Sequence, residues 1–434
     1  MNSFIKYNEQ LRNLYSSYIN EANTDHFEKF FKENDPHEYL RLNESINSLR
    51  DLGIFFTGEE LSAECAKIIA STLNEHSKVI DPCCGAGNLL VALTKFLPVC
   101  KTLTETLAKW NSLLHGFDLI EDFVDAAKIR IIFQALNRGV HIDEKNLQEN
   151  MKILTNIKCK NGLDDDVSQD AFSHVLMNPP YNQSLLKEYK YWSGGKVNLA
   201  AVFVDKYITD AKKGMHIVAI LPDVLRSGTR YEKWRCAIDQ LVSGEIKLKG
   251  RFDKKTDVDV FILNGFINDV NLGLNWVSEK KKYQQLSDYF SVSIGKVVPY
   301  RDPQEGEPHA YIYPGLLNSW DEIDSNDIAS IRRHRSIPVL PPFITIKRTS
   351  SPKDKNRAGA HLIYGSKPVY VENHLIVIKA NDDNITKYKK LLDHLKSAEV
   401  NFFLNDVIRC RHLTVKVVKE IPFKLEVSDE ETIK

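Results

Sequence analysis

No apolar run in the 434-residue sequence approaches the length of a membrane span. The opening Met1-Asn2-Ser3-Phe4-Ile5-Lys6 lacks the form of a secretory signal. A cytoplasmic location and no membrane partner are therefore expected. Cysteine is sparse: seven residues, an odd number without zinc-ligand spacing, argue against a disulfide framework, so reduced thiols and no metal site are expected. The adjacent Cys83-Cys84 reads as a pair of small packing residues. Internal repeats and low-complexity segments are absent. So is any excess of charge, because 58 Lys and Arg balance 58 Asp and Glu. That balance removes a global basic field as a reason to bind nucleic acid, although a local basic face would suffice. What remains is ordinary soluble composition, 43% hydrophobic and 27% charged, in a chain long enough for two domains.

The most informative stretch is Asn178-Pro179-Pro180-Tyr181, which follows the apolar run Ser173-His174-Val175-Leu176-Met177. That run reads as a buried strand stopped by two prolines, which delivers Asn178 and Tyr181 to its carboxyl end, the edge where ligands bind in open α/β sheets. The chemistry such residues suit is methyl transfer to an amine conjugated with a carbonyl or a heteroaromatic ring. The lone pair of such an amine is delocalised, and two fixed acceptors for its protons, Asn178 Oδ1 and the Pro179 carbonyl, would draw it toward a reactive tetrahedral shape. The prolines stiffen the backbone that aims these acceptors, and Tyr181 offers a flat face to a ring.

Upstream, residues 1–50 are polar with helical spacing of Phe4, Leu11, Leu14, Tyr18 and later Phe27, Phe30 and Phe31, which suggests an N-terminal cap or partner helix. The turn Gly53 to Gly58, carrying Phe56-Thr57, leads into a helix over 59–74. Lys78 to Ile80 reads as a strand, followed by Asp81-Pro82-Cys83-Cys84-Gly85-Ala86-Gly87 and a helix over 88–97. Glycines between strand and helix let backbone amides approach a ligand, and the helix start favours a carboxylate. Asp81 adds an acceptor for an ammonium, so a zwitterionic amino-acid moiety would be held from both ends. A second strand, 113–117, ends in Asp118, which is placed to accept from two ribose hydroxyls. A third strand is expected over 151–158. The polar loop Asn161 to Asp166 then offers an acceptor for an adenine amine, from Asn161 or from one of its neighbours. A loop containing Gly194-Gly195 is expected after Tyr181, and further expected elements are helices over 198–212 and 230–242, a strand over 216–221, and closing strands 245–249 and 258–267. Alternating strand and helix mean a mostly parallel, doubly wound α/β sheet ending in a β-hairpin.

Beyond about residue 270 the alternation is lost. Short β-like runs at 290–297, 343–347, 361–364 and 375–378 and a helix over 387–397 lie among prolines and polar turns. Basic residues gather here, including Arg332, Lys347, Arg348, Lys355, Arg357 and Arg411, interleaved with Thr349 and other short polar side chains. That mixture suits phosphate anchoring and base-edge contact in a DNA groove.

Taken together, these motifs resemble the amino-group DNA methyltransferases that make N6-methyladenine in restriction-modification systems, in the subgroup with cofactor motifs first and a target-recognition domain last. Phe56-Thr57 is similar to the family's element that touches the methionine part of S-adenosylmethionine, with Gly58 where proline is usual. Asp81 to Gly87 is similar to its cofactor loop, including Gly85 and Gly87, and Asp118 to its ribose-binding acid. Asn178-Pro179-Pro180-Tyr181 matches its catalytic motif. Phe203 falls where the family has an aromatic against the cofactor adenine, and Phe252 where one stacks on the target base, so Tyr181 and Phe252, from different strands, are expected to meet only around a planar base. Pro342-Phe343-Ile344, Arg348-Thr349-Ser350 and Glu372-Asn373-His374 resemble its recognition domains.

The resemblance implies an N-terminal helical segment (1–50), a catalytic methyltransferase domain (51–270) and a mixed α+β recognition domain (271–434). It further implies S-adenosylmethionine as cofactor, double-stranded DNA with a flipped adenine as substrate, and room for a cognate restriction endonuclease as partner. A monomer is expected. Two rival readings compete with this one. Protein-glutamine methyltransferases share Asn-Pro-Pro-Tyr, but resemble the catalytic part alone. A non-catalytic DNA-binding subunit would have no need of Asp81, Asn178 and Tyr181 together.

Overall fold

The computed structural model describes residues 2–21, 35–45, 49, 56–164, 166–186, 190–192, 194–209, 211–252, 258–268, 273–276, 283–318 and 320–425. Phe27, Phe30, Phe31, Gly53 to Phe55 and Asp165 lie outside the described residues. Two compact units divide the chain, Met1–Trp276 and Val277–Lys434.

The first unit begins with α1 (Asn2–Glu21), α2 (Pro36–Asn43) and α3 (Glu59–Ala70). Phe4, Tyr7, Leu11 and Tyr15 recur at helical spacing on α1, and all four are buried. The Phe4 ring meets those of Phe56 and Phe123 edge-on, at 5.8 and 4.6 Å between centroids. The N-terminal helix is thus part of the same core as the residues around Phe56.

Strand and helix then alternate: β1 (Val79–Asp81), α4 (Asn88–Thr94), α5 (Leu103–Leu113), β2 (Leu114–Asp118), α6 (Glu121–Asn137), α7 (Leu147–Ile153), β3 (Ile157–Cys159) and β4 (His174–Met177). After the catalytic motif come β5 (Gln183–Leu186), β6 (Gly195–Asn198), α8 (Leu199–Thr209), β7 (His216–Pro222), α9 (Asp223–Ser227), α10 (Glu232–Leu241), β8 (Val242–Arg251) and β9 (Asp259–Ile267). The main sheet has seven strands in the order β3-β2-β1-β4-β7-β9-β8. The first five run parallel, while β9 pairs antiparallel with both β7 and β8. Every residue of β1, β4 and β7 is buried, which is why these strands read as continuous apolar runs rather than alternating ones. The order turns back at β1 and β4, so their carboxyl ends flank the topological switch point where a crevice opens.

Two local expectations give way. Met151 belongs to α7, not to a third strand, because Asn146 Oδ1 caps a helix there by accepting from the amides of Gln148 and Glu149. The strand is the three-residue Ile157–Cys159, too short to leave a pattern of its own. The stretch after Tyr181 is not plain loop, since β5 and β6 form an antiparallel hairpin with Gly194 and Gly195 at positive φ beside it.

The second unit carries β10 (Phe290–Ile294), β11 (Glu307–Ile312), β12 (Glu322–Asp324), β13 (Ile331–His334), β14 (Phe343–Lys347), β15 (Ala360–Tyr364), β16 (Val369–Val371) and β17 (Leu375–Ala380). Helices α11 (Ile385–Leu395), α12 (Ala398–Val407) and α13 (Val415–Lys419) follow. One sheet has the order β10-β17-β14-β15-β12 and a second β13-β11-β16. Leu391, Leu392, Leu395 and Leu404 from the helices close a core over Ile344, Ile346, Ile376 and Ile378.

Candidate functional site

The crevice at the switch point is a cavity of about 370 Å³. Phe56, Thr57, Asp81, Gly85, Asp118, Asn161, Asn178 and Phe203 all line it, gathered from segments far apart in sequence.

Its floor is the glycine loop. Gly85 has φ +52°, and a Cβ there would lie 2.5 Å from the Phe56 ring, so the loop and that ring leave no room for a side chain. Gly87 does something else: it does not line the cavity, and its missing Cβ lets the start of α4 approach Ala127 on α6. Asp118 orders the loop from β2, with Oδ2 accepting from the Gly85 amide at 3.0 Å and Oδ1 from the Ile120 amide at 3.0 Å. Asp81 is buried, and its Oδ1 accepts from the Cys83 amide at 3.2 Å. Burial pushes its carboxyl up to about 8, with the Asp118 charge adding to the rise. A buried acid in that state is a ready partner for a cation, which would restore its ionised form.

Arg130, which sequence reading passed over, holds the loop from behind. It is buried on α6 and donates through Nη1 to the Ala86 carbonyl and, at 2.6 Å, to Asn88 Oδ1. Asn88 Nδ2 in turn donates to the Thr57 carbonyl at 2.6 Å. Nothing in the sequence marks Arg130 except a charge in the middle of the apolar helix 121–137. Lys160, Leu163 and Leu199 are further cavity residues found only in the structure. Asn161 lines the cavity with Oδ1 accepting from the Leu163 amide at 3.1 Å, and Phe203 presents a buried ring.

At the end of β4, Asn178 is half-buried. Its Nδ2 donates to Thr57 Oγ1 at 3.0 Å and its Oδ1 accepts from the Tyr181 hydroxyl at 2.7 Å. The Tyr181 hydroxyl also lies 3.3 Å from the Ile220 carbonyl, a second acceptor within its reach. Asn198 ties the motif to α8, because its Nδ2 donates to the Tyr181 carbonyl at 2.8 Å. Pro179 is buried and is not among the cavity's lining residues, whereas Pro180 is. The expectation that Tyr181 and Phe252 meet only around a planar base is corrected. Both are half-buried, and their rings touch directly, edge to face, with centroids 6.0 Å apart and planes at 77°. A base between them would need parallel faces and a wider gap, so these rings would have to part to admit one.

In the second unit the basic residues separate into two groups. Arg357 is 1% exposed and donates to the carbonyls of Leu404 (3.1 Å), Ile408 and Cys410 (2.7 Å) and to Asn405 Oδ1 (3.3 Å). Arg332 is also buried, donating to the carbonyls of Pro299 and Asp302 and lying over the Tyr311 ring. Both are removed from the DNA-contact assignment, because a buried guanidinium already engaged with backbone carbonyls has no face for phosphate. Thr349, Lys355 and Arg411 are exposed, and Lys347 and Arg348 are half-buried. Lys347 Nζ donates to the Leu317 carbonyl at 2.7 Å and Arg348 Nη1 to the Asn373 carbonyl at 3.1 Å, which fixes both stems at the end of β14. Among the described residues, no group of three or more His, Cys, Asp and Glu is arranged to hold a metal. No helix among them is long and apolar enough to cross a membrane.

Comparison with known proteins follows the same line. The family model described as N-6 DNA Methylase matches residues 34–263. The methylase subunit of the type I restriction enzyme MpnII from Mycoplasma pneumoniae is 26% identical over 285 residues, 59% of this chain and 48% of that protein. The chain therefore spans about half the length of the curated relative it matches. Among solved structures, the DrdV–DNA complex superposes on 94% of this chain and 58% of its own with a TM-score of 0.51 at 11% identity, a likeness of fold. The type IIL restriction-modification enzyme MmeI in complex with DNA covers 89% of this chain and 69% of its own, with a TM-score of 0.48 at 11% identity.

Proposed function

The chain belongs to the N-6 DNA methylase family, whose model covers more than half of it, and from that premise we propose that it transfers a methyl group from S-adenosylmethionine to N6 of an adenine flipped out of double-stranded DNA. The observation that carries this reading is the convergence of the glycine loop, Asp81, Asp118 and Asn178 on one cavity. When bound, the cofactor supplies an electrophilic methyl group on a sulfonium. Asp81 meets its ammonium, the loop amides its carboxylate, Asp118 its ribose hydroxyls and Phe203 its adenine ring. Asn178 Oδ1 accepts from the target amine, and Tyr181 releases that oxygen by turning its hydroxyl to the Ile220 carbonyl. An adenine inside a duplex cannot reach this pocket, so it is unstacked first at a cost of a few kcal/mol. The rings of Tyr181 and Phe252 part to receive it. With the electrophile already activated, the protein's task is positioning and polarisation. The second unit is the target-recognition domain, and the whole acts as the protective half of a restriction-modification system.

The raised pKa of Asp81 has a consequence for binding. In the free protein the carboxyl is mostly protonated below pH 8. A bound cation lowers its pKa, so binding releases a proton and tightens as pH rises. Affinity for S-adenosylmethionine is expected to climb by up to ~10-fold per pH unit below pH 8, then to fall as the cofactor's own ammonium, an α-amino group with a pKa of about 8, loses its proton. Calorimetry in buffers of different ionisation enthalpy reads the proton released; no release, with affinity flat from pH 6 to 8, would remove Asp81 from the ammonium site. Asp81→Ala should weaken binding by about 1–3 kcal/mol.

Exposed basic residues are expected to act on DNA alone. Arg411→Ala and Lys355→Ala should weaken binding to cognate and random duplexes alike, and each should reduce the dependence of affinity on salt by about one ion. Cofactor affinity should not change. Filter binding across a salt series tests this, and slopes identical to the parent's would show that the basic face lies elsewhere.

A further inference from the structure

Just past the end of β14, the chain of the second unit is stitched to two other segments by backbone hydrogen bonds. The Arg348 amide donates to the His374 carbonyl at 2.9 Å, which carries the β14–β17 ladder one step beyond its last pair, Lys347 and Leu375. On the other side the Leu413 amide donates to the Arg348 carbonyl and the Ser350 amide to the Arg411 carbonyl, both at 2.8 Å. An antiparallel bridge pairs Thr349 with His412. Residues 348–350, 372–374 and 411–413 are therefore held in register by main chain alone.

Four side chains of these segments are cations or become cations on protonation: Arg348, His374, Arg411 and His412. Arg411 and His412 are exposed, and the other two are half-buried. Thr349 Oγ1 lies 3.4 Å from His412 Nδ1. The groups that act on His412 are Arg348 from the end of β14, His374 from the turn before β17, and Arg411 beside it. Burial first, and then these three, push its imidazole below the usual value. His374 faces the Glu372 carboxylate, 2.8 Å from Nδ1, which also accepts from the Tyr311 hydroxyl at 3.0 Å. Gathering like charges in this way costs the folded state, and an anion that lies among them reverses the sign.

We propose that Arg348, His374, Arg411 and His412 form a phosphate-binding site for duplex DNA in which the imidazoles take up protons as the DNA backbone docks. This rests on the reading of the second unit as the DNA-binding part, and adds two histidines to the contact and a proton to the equilibrium. A neutral imidazole takes a proton from solvent, and the imidazolium then donates to a phosphate oxygen. The complex holds more protons than its separated partners, so affinity rises as pH falls. Arginine and lysine contacts keep their charge through the neutral range and respond to salt instead. The pH dependence thus belongs to the histidines.

The test is affinity for a random-sequence duplex from pH 6 to pH 8 at constant ionic strength, without S-adenosylmethionine so that proton release at Asp81 does not enter. The parent's affinity should fall by about tenfold over that range. His412→Gln and His374→Gln, which keep a donor but do not titrate, should each reduce the change and together hold it below about twofold. His412→Arg fixes the charge, so its binding at pH 8 should come within about threefold of the parent's at pH 6. Lys355→Ala should weaken binding and keep the parental pH dependence. A parent whose affinity is flat with pH overturns the proposal. So does a double glutamine variant that keeps the parental change, because the protons are then taken up elsewhere. Both results leave DNA binding by the second unit standing, whereas a parent that binds no duplex at any pH overturns the proposal and the recognition-domain reading together.

Discussion

Replacing Asn178 with alanine is expected to slow methyl transfer by about 100- to 1000-fold in a single turnover, the loss typical of removing one preorganised acceptor from a transition state. Cofactor affinity should stay within about threefold, because Asp81, Asp118 and the glycine loop, which line the same cavity, are untouched. The fold should survive as well. Asn178 is half-buried, and Tyr181, one of the partners it leaves, has a second acceptor within reach in the Ile220 carbonyl. A variant that keeps the parental rate would show that the amide is not the amine's acceptor.

The second large effect is on stability and falls in the other unit. Arg357→Ala should cost about 3–5 kcal/mol, because it removes a buried guanidinium and strands the carbonyls of Leu404, Ile408 and Cys410 in the interior. At ~2–4 °C per kcal/mol for a domain of this size, the melting temperature of the second unit should fall by roughly 6–20 °C. Arg348→Ala, at a half-buried position with one carbonyl partner, should cost about 1 kcal/mol. Thermal unfolding separates them. An Arg357→Ala protein that melts with the parent and loses only DNA affinity would return Arg357 to the surface.

These two residues mark where the sequence could be read and where it could not. Asn178 was legible because two prolines after a buried strand dictate its place, and a strand's carboxyl end at a sheet's turning point is an address fixed by topology. Asp81, Gly85 and Asp118 were legible for the same reason. The parallel order with a closing hairpin followed from alternation alone. Arg357 and Arg332 were misread because one letter does not say whether a guanidinium faces phosphate or interior carbonyls. Arg130 was missed for the converse reason, since its use depends on where α6 crosses the glycine loop. Tyr181 and Phe252 were placed near one another but with a gap, where the two rings meet edge to face. Short elements escaped too: α7 stands where a strand was expected, and the hairpin β5–β6 leaves no alternating pattern.

The family match and the geometry also bear on the glutamine rival. Both amines are conjugated and both would suit Asn178, so the amide alone does not decide. The match to N-6 DNA methylases over residues 34–263 favours adenine in DNA.

The most direct measurement is to express the chain in a host without DNA methylation and map modified bases across the genome at single-base resolution. The account predicts N6-methyladenine at one recurring sequence, lost with Asn178→Ala while the variant protein remains folded and binds S-adenosylmethionine. A genome without modified adenine, from cells containing the folded parental protein, would contradict it.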